Sequence, residues 1–264
     1  MILQSIIDII ESVAPLGQQE AWDNSGLQVG DTGAEIEAAL LTTDVTEAVV
    51  AEAIERGCNL IVSHHPLIFH GLRHLTGSTP QERCVERCLR HGIAVYSTHT
   101  PMDKYAHGVS GRMAQKIGIT DYRILVEETP HVGLGVIGTL PEPLTTTAFV
   151  DRVAQAFGAD YVRYTLGRQD SIATVALCGG AGAEFLETAI AQGADAYVSA
   201  DFKYHEMQAA DRRIVAVDMD HWVSEHFTRE IFSEMLKGKV KTFISTADKS
   251  PIKYSSLWQN KKKN

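Results

Sequence analysis

Six short apolar runs punctuate the chain, at residues 38–42, 60–63, 93–97, 174–178, 196–199 and 214–217, each bounded by polar residues or glycine. Continuous rather than alternating runs of this length suit strands covered on both faces, as in a mainly parallel sheet. Between them lie stretches with helical spacing, 46–56, 80–91 and 183–192, which close on Gly57, Gly92 and Gly193. A glycine just past the last helical residue is the expected C-terminal stop. At the N-terminus Leu3, Ile6, Ile7, Ile10 and Val13 recur every three or four positions, which predicts an amphipathic first helix. The alternation βαβαβ predicts an α/β fold with mainly parallel or mixed sheets.

The two halves resemble each other. Ala53, Ile54, Gly57, Val62 and Ser63 recur as Ala189, Ile190, Gly193, Val198 and Ser199, and Val95, His99 and Asp103 find counterparts in Val217, His221 and Glu225. An internal duplication with a pseudo-twofold axis is expected. Residues 1–121 form the first lobe in this scheme and 169–254 the second. The segment 122–168, with a strand at 132–140, a helix at 145–157 and a short strand near 161–164, is the expected connection, and 255–264 a disordered basic tail.

Composition sharpens the picture at the two ends of the charge scale. The 264 residues carry a net charge of −9, yet residues 237–264 hold eight lysines and a single acid, which leaves 16 basic against 32 acidic residues in 1–236. An acidic body disfavours nucleic acid, except by way of the tail, and favours metal cations. No apolar run reaches the roughly 18 residues of a spanning helix, and the first helix carries Asp8 and Glu11 without a positive leader, so no membrane association and a cytoplasmic location are expected. Cys58, Cys84, Cys88 and Cys178 lack the spacing of a disulfide framework or a zinc knuckle and are expected in the core.

Histidine carries the chemistry. Seven of the 11 histidines fall between residues 64 and 107. His64 and His65 follow the strand 60–63 directly, at the carboxyl end where open α/β sheets place their sites. His99 and Asp103 follow the next strand, and His221 and Glu225 follow the strand 214–217 at a spacing of one helical turn. Imidazoles and carboxylates converging on successive strand ends supply enough ligands for two divalent ions with water positions left open, so a dinuclear centre is expected. Neither a G-x-S-x-G elbow nor a Walker A sequence is present. The run Gly179-Gly-Ala-Gly182 follows a strand; it suits either an anion site or a tight turn.

Four motifs in order, Trp22-Asp-Asn-Ser-Gly-Leu-Gln-Val-Gly30, Ser63-His-His-Pro66, Thr98-His-Thr-Pro-Met-Asp103 and Asp218-Met-Asp-His-Trp-Val-Ser-Glu225, resemble those of the Nif-three-like family, many of whose members are named GTP cyclohydrolase I type 2 homologues. The resemblance spans about residues 4–254. It implies two related α/β lobes, a toroidal homohexamer and two divalent metal ions per subunit, zinc, iron or manganese, held by His64, His65, Asp103, His221 and Glu225. His99 becomes an adjunct to the site. Pro101-Met102 stands where an Asn-Leu type pair is usual, and Asp220 where a glycine is. The implied activity is a metal-dependent hydrolase acting on a purine nucleotide such as GTP, or a related small molecule, with His99 or Asp220 as candidate general acid. The alternative is a non-catalytic metal-binding scaffold or regulatory hexamer that recruits partners.

Overall fold

The computed structural model describes residues 1–255, so the tail expected at 255–264 lies, past Ser255, outside the described residues. The strands are β1 (Gly26–Val29), β2 (Ala38–Thr42), β3 (Leu60–Ser63), β4 (Ala94–Ser97), β5 (Tyr122–Thr129), β6 (Val132–Leu144), β7 (Val162–Tyr164), β8 (Ile172–Ala181), β9 (Ala196–Ala200), β10 (Val215–Met219) and β11 (Lys241–Ile244). The helices are α1 (Leu3–Glu11), α2 (Glu47–Glu55), α3 (Pro80–Arg90), α4 (Thr100–Lys104), α5 (Val109–Lys116), α6 (Thr146–Phe157), α7 (Leu186–Ala191), α8 (Tyr204–Ala210), α9 (His221–Glu225) and α10 (Thr228–Met235). The mixed α/β architecture expected from the apolar runs is present, with two sheets.

Helix boundaries follow capping chemistry. The side chains of Thr46, Thr79 and Thr145 accept the N–H of Val49, Glu82 and Ala148, which starts α2, α3 and α6 one residue inside each threonine. Pro80, with no N–H to lose, opens α3. Gly158 ends α6 at φ 66°, a left-handed conformation that costs glycine no Cβ clash. The expected helix 183–192 is a 3-10 turn, Ala183–Phe185, followed by α7.

Two compact units divide the chain. Among the described residues, the first contains Met1–Arg112, Glu127–Leu134 and Glu225–Asp248, and the second Met113–Val126, Gly135–Ser224 and 249–255. Sheet order in the first is β1-β4-β3-β2-β11. The pairings from β4 through β3 and β2 to β11 are all parallel, and β1 closes one edge antiparallel. Every residue of β2, β3 and β4 is buried, as continuous apolar runs require. Val49, Val50 and Ala53 of α2 pack with Cys84, Val85 and Cys88 of α3 over Leu40, Ile61 and Val95, which places both cysteines in the core as expected.

The stretch 225–248, expected in the second lobe, belongs to the first unit for a physical reason: β11 pairs with β2 from Lys241↔Ala38 to Ile244↔Leu41. A clamp then fastens the segment after β11. The Glu52 carboxylate in α2 accepts the hydroxyls of Ser245 and Thr246 and the N–H groups of Thr246 and Ala247, while Asp248 accepts the Thr43 N–H.

In the second unit the order is β5-β6-β8-β9-β10-β7, with β8, β9 and β10 parallel and antiparallel strands outside them. Residues 122–168 thus supply β5, β6 and β7 to this sheet, more than a connection between lobes. The strand pattern of β5 is largely exposed, so no buried apolar run announces it. Gly179, Gly180 and Ala181 continue β8, and Gly182 sits where a Cβ would lie 2.6 Å from Ser199 Oγ and 2.7 Å from the Tyr197 hydroxyl. The glycine there serves close packing. Among the described residues no helix is long and apolar enough to cross a membrane.

Candidate metal centre

Parallel pairing puts Thr42, Ser63 and Ser97 in register at the ends of β2, β3 and β4. The residues after these ends therefore rise from one level of one sheet edge: Asp44 after β2, His64 and His65 after β3, His99 after β4 with Asp103 in α4. Backbone bonds prolong the strand pattern past its end, from His64 N–H to Thr42 O, His65 N–H to Thr43 O and Thr98 N–H to Ser63 O. Ser63 donates its hydroxyl to His65 O, so it accepts from Ser97 across 2.7 Å. Both histidines are fixed by this lattice of short bonds.

Each imidazole is held at Nδ1. His64 Nδ1 lies 3.2 Å from Thr98 O, His65 Nδ1 2.8 Å from an Asp44 oxygen, and His99 Nδ1 3.0 Å from an Asp23 oxygen. In the second unit, His221 Nδ1 lies 2.6 Å from Asp201. A carbonyl or carboxylate can only accept, so Nδ1 carries the hydrogen and Nε2 the lone pair in the neutral ring. Metal-bound histidines are oriented this way. Asp44, Asp23 and Asp201 are absent from the sequence-based ligand set; Asp44 carries a signal, being the carboxylate that follows the third of the three aligned strand ends.

Within the first unit, His64 Nε2 is 3.6 Å from Asp103 Oδ1 and 3.7 Å from Glu225 Oε1, and His65 Nε2 is 3.0 Å from Glu225 Oε2. His64 is wholly buried and Glu225 nearly so. Among the described residues, His64 Nε2 and Asp103 Oδ1 have no hydrogen-bond partner although both atoms are buried. Two ligands at 2.0–2.2 Å from a tetrahedral ion stand about 3.4 Å apart, close to the spacing observed. The donor set, imidazole nitrogen and carboxylate oxygen, suits zinc, iron or manganese. Groups of donors that could hold a cation are His64, His65 and His99, and His64, Asp103 and Glu225.

Electrostatics point the same way. Burial works against charging His64 and His65, but the surrounding carboxylates outweigh it: Asp103 and Glu225 raise His64, and Asp44 and Glu225 push His65 up to about 10. Burial holds the Asp103 carboxyl above the usual range; His64 and His99 only partly offset it and the Glu225 charge adds to it. The acids crowd together more tightly than the imidazoles alone accommodate.

His221 opens α9 in the second unit, and Glu225 closes the same helix one turn later. Asp220 caps that helix: its carboxylate accepts the Val223 N–H and the Ser250 hydroxyl. Of the two candidate acids, His99 is thus the one beside the donor cluster of the first unit, its ring centroid 5.3 Å from those of His64 and His65.

The Duf34/NIF3 (NGG1p interacting factor 3) family pattern matches residues 1–251. The chain belongs to the Duf34/NIF3 family. It is 33% identical over 236 residues to a GTP cyclohydrolase 1 type 2 homolog of Streptococcus pneumoniae, covering 88% of this chain and 89% of that protein. To NIF3-like protein 1 of Drosophila melanogaster it is 31% identical, with 95% of this chain and 88% of the other covered. A Bacillus cereus protein related to NIF3 shares the Duf34/NIF3 fold with a TM-score of 0.87 at 22% identity, covering 97% of this chain and 99% of that one.

Proposed function

We propose that this Duf34/NIF3 protein is a divalent-metal-dependent hydrolase whose subunit holds two ions, of zinc, iron or manganese, through His64, His65, Asp103, His221 and Glu225. The observation that carries the proposal is the anchoring of each imidazole at Nδ1 by an acceptor, Thr98 O for His64, Asp44 for His65 and Asp201 for His221. A structural core histidine has no need of so uniform a tautomer. His221 joins the set through its place one turn before Glu225 in α9.

Divalent ions in such a site supply Lewis acidity and lower the pKa of a bound water toward neutrality. The residues around them do the rest. Asp44 keeps the His65 ring turned so that its Nε2 faces Glu225, and burial of His64 and Glu225 keeps bulk water from competing for their donor atoms. His99 is the proton carrier. Asp23, fully buried at its side chain, holds Nδ1–H, so that a proton is taken up or given at Nε2. The Asp23 carboxyl itself lies well below the usual range: burial opposes this, but hydrogen bonds from His99, Thr100 and Ser25 prevail, so it stays an anion behind the imidazole.

The names of the bacterial relatives support a purine nucleotide as substrate, with opening of the guanine imidazole ring of GTP as the reaction. The toroidal homohexamer and the cytoplasmic location expected from the sequence are part of the same proposal. The test is reconstitution with each metal in turn, followed by assay of GTP by loss of the guanine chromophore. Turnover that requires metal and disappears with chelator and in His64→Ala is expected. Fully loaded protein that turns over no nucleotide, amide or phosphoester across a broad screen overturns the hydrolase.

A further inference from the structure

The first of the four motifs places an aromatic residue, Trp22, where neither the metal ligands nor the proton carrier needs one. Trp22 is 59% exposed, yet its surroundings are ordered. Its ring centroid lies 6.0 Å from that of Phe69 and 5.8 Å from that of His99, and Phe69 and His99 are 6.1 Å apart. His99 stands nearly perpendicular to both rings, and it meets His64 and His65 in the same T-shaped manner. One imidazole thus joins an open aromatic pair to the donor cluster of the same unit.

Polar bonds tie together the two segments that carry the pair. Asn24 Nδ2 donates to Ile68 O at 2.5 Å, the Ile68 N–H donates to Gln28 Oε1 at 3.2 Å, and Gln28 Nε2 returns to Asn24 O at 2.7 Å. The loop carrying Trp22 is laced to the loop carrying Phe69. Asp23, the neighbour of Trp22, is bonded to His99, Thr100 and Ser25. An exposed indole held by neighbours this rigid loses little further freedom when a second ring covers it, which favours binding through preorganisation.

We infer that Trp22 and Phe69 form a stacking platform for the planar heteroaromatic ring of the substrate, and that this pair selects for ring-bearing molecules over the bare sugar phosphate. The inference rests on the proposed hydrolase only in taking the ring to be that of its substrate. Stacking of a base on an aromatic side chain is worth about 1–3 kcal/mol and tolerates any base, because every base has a π face.

The test uses the metal-loaded protein with guanosine, adenosine and ribose 5-phosphate as probes in titration calorimetry, on wild type, Trp22→Leu, Trp22→Phe and Phe69→Leu, with metal content and solution mass measured for each. Both nucleosides are expected to bind wild type, to weaken about tenfold in Trp22→Leu and Phe69→Leu, and to recover in Trp22→Phe, with ribose 5-phosphate, metal content and mass unchanged. Wild-type protein that binds neither nucleoside, nucleoside affinity equal in Trp22→Leu and wild type, or a change of oligomeric mass in Trp22→Leu overturns the platform. Nucleoside binding of the expected pattern in a protein without turnover leaves the platform standing and removes the hydrolase instead.

Discussion

His64 Nε2 and Asp103 Oδ1 face each other across 3.6 Å, both buried and both without a hydrogen-bond partner among the described residues. A buried polar atom left unpaired costs about 1–3 kcal/mol, and here a donor-capable ring and a carboxylate bear that cost side by side. Such a pairing persists where a third body, a cation, completes it.

The cost has a measurable sign. Burial raises the Asp103 carboxyl above its ordinary value, so the ionised side chain works against folding of the metal-free protein at neutral pH, and protonation on acidification relieves it. Asp103→Asn, which removes the charge at constant volume, is expected to raise the stability of chelator-treated protein at neutral pH and to lower the melting temperature of metal-loaded protein. Thermal unfolding of wild type and variant with and without chelator reads both signs; a loss of stability in both states would show Asp103 to be an ordinary structural acid.

Asp44 touches no metal in this account but turns the His65 ring. Asp44→Asn leaves all five proposed ligands in place. Competition with a chromophoric chelator is expected to show metal affinity falling by about 10–100-fold. An unchanged affinity would mean the His65 ring is oriented by its other contacts.

His99→Gln separates metal holding from proton transfer. Metal content equal to wild type is expected, with the hydrolytic rate on GTP reduced by about 10²–10⁴. Loss of an ion from this variant would make His99 a ligand instead, as its grouping with His64 and His65 permits.

Glu52 offers a test away from the site. Burial opposes its ionisation, but the Ser245 hydroxyl, the Ala247 and Thr246 N–H groups and the Thr246 hydroxyl prevail and hold it at about 2 against an ordinary 4.5. A depressed acid stabilises the fold above its unfolded value and loses that contribution as pH falls toward the folded one. Glu52→Gln is therefore expected to cost roughly 1–3 kcal/mol at pH 7 and little at pH 2, read by unfolding across that range. A pH-independent cost would assign the clamp to packing alone.

The strands covered on both faces were legible because burial writes itself as an unbroken apolar run: β2 and β3 begin and end where those runs do. Strands β5 and β11 were not, since β5 is mostly exposed and β11 joins its sheet through a partner some 200 residues away in the chain. The same contrast divides the site. His64, His65, Asp103 and Glu225 could be named from their places after strands, whereas Asp23, Asp44 and Asp201 act through contacts no local pattern records, and in sequence each looks like a common loop aspartate.

Element-specific anomalous scattering from crystals of metal-reconstituted protein tests the central claim most directly, with His65→Ala and Glu225→Ala as companions. Two peaks per chain are expected, at least one within about 2.0–2.2 Å of His64 Nε2 and an Asp103 or Glu225 oxygen, and reduced occupancy in both variants. Full occupancy retained in both, or peaks remote from His64 and Asp103, would contradict the account.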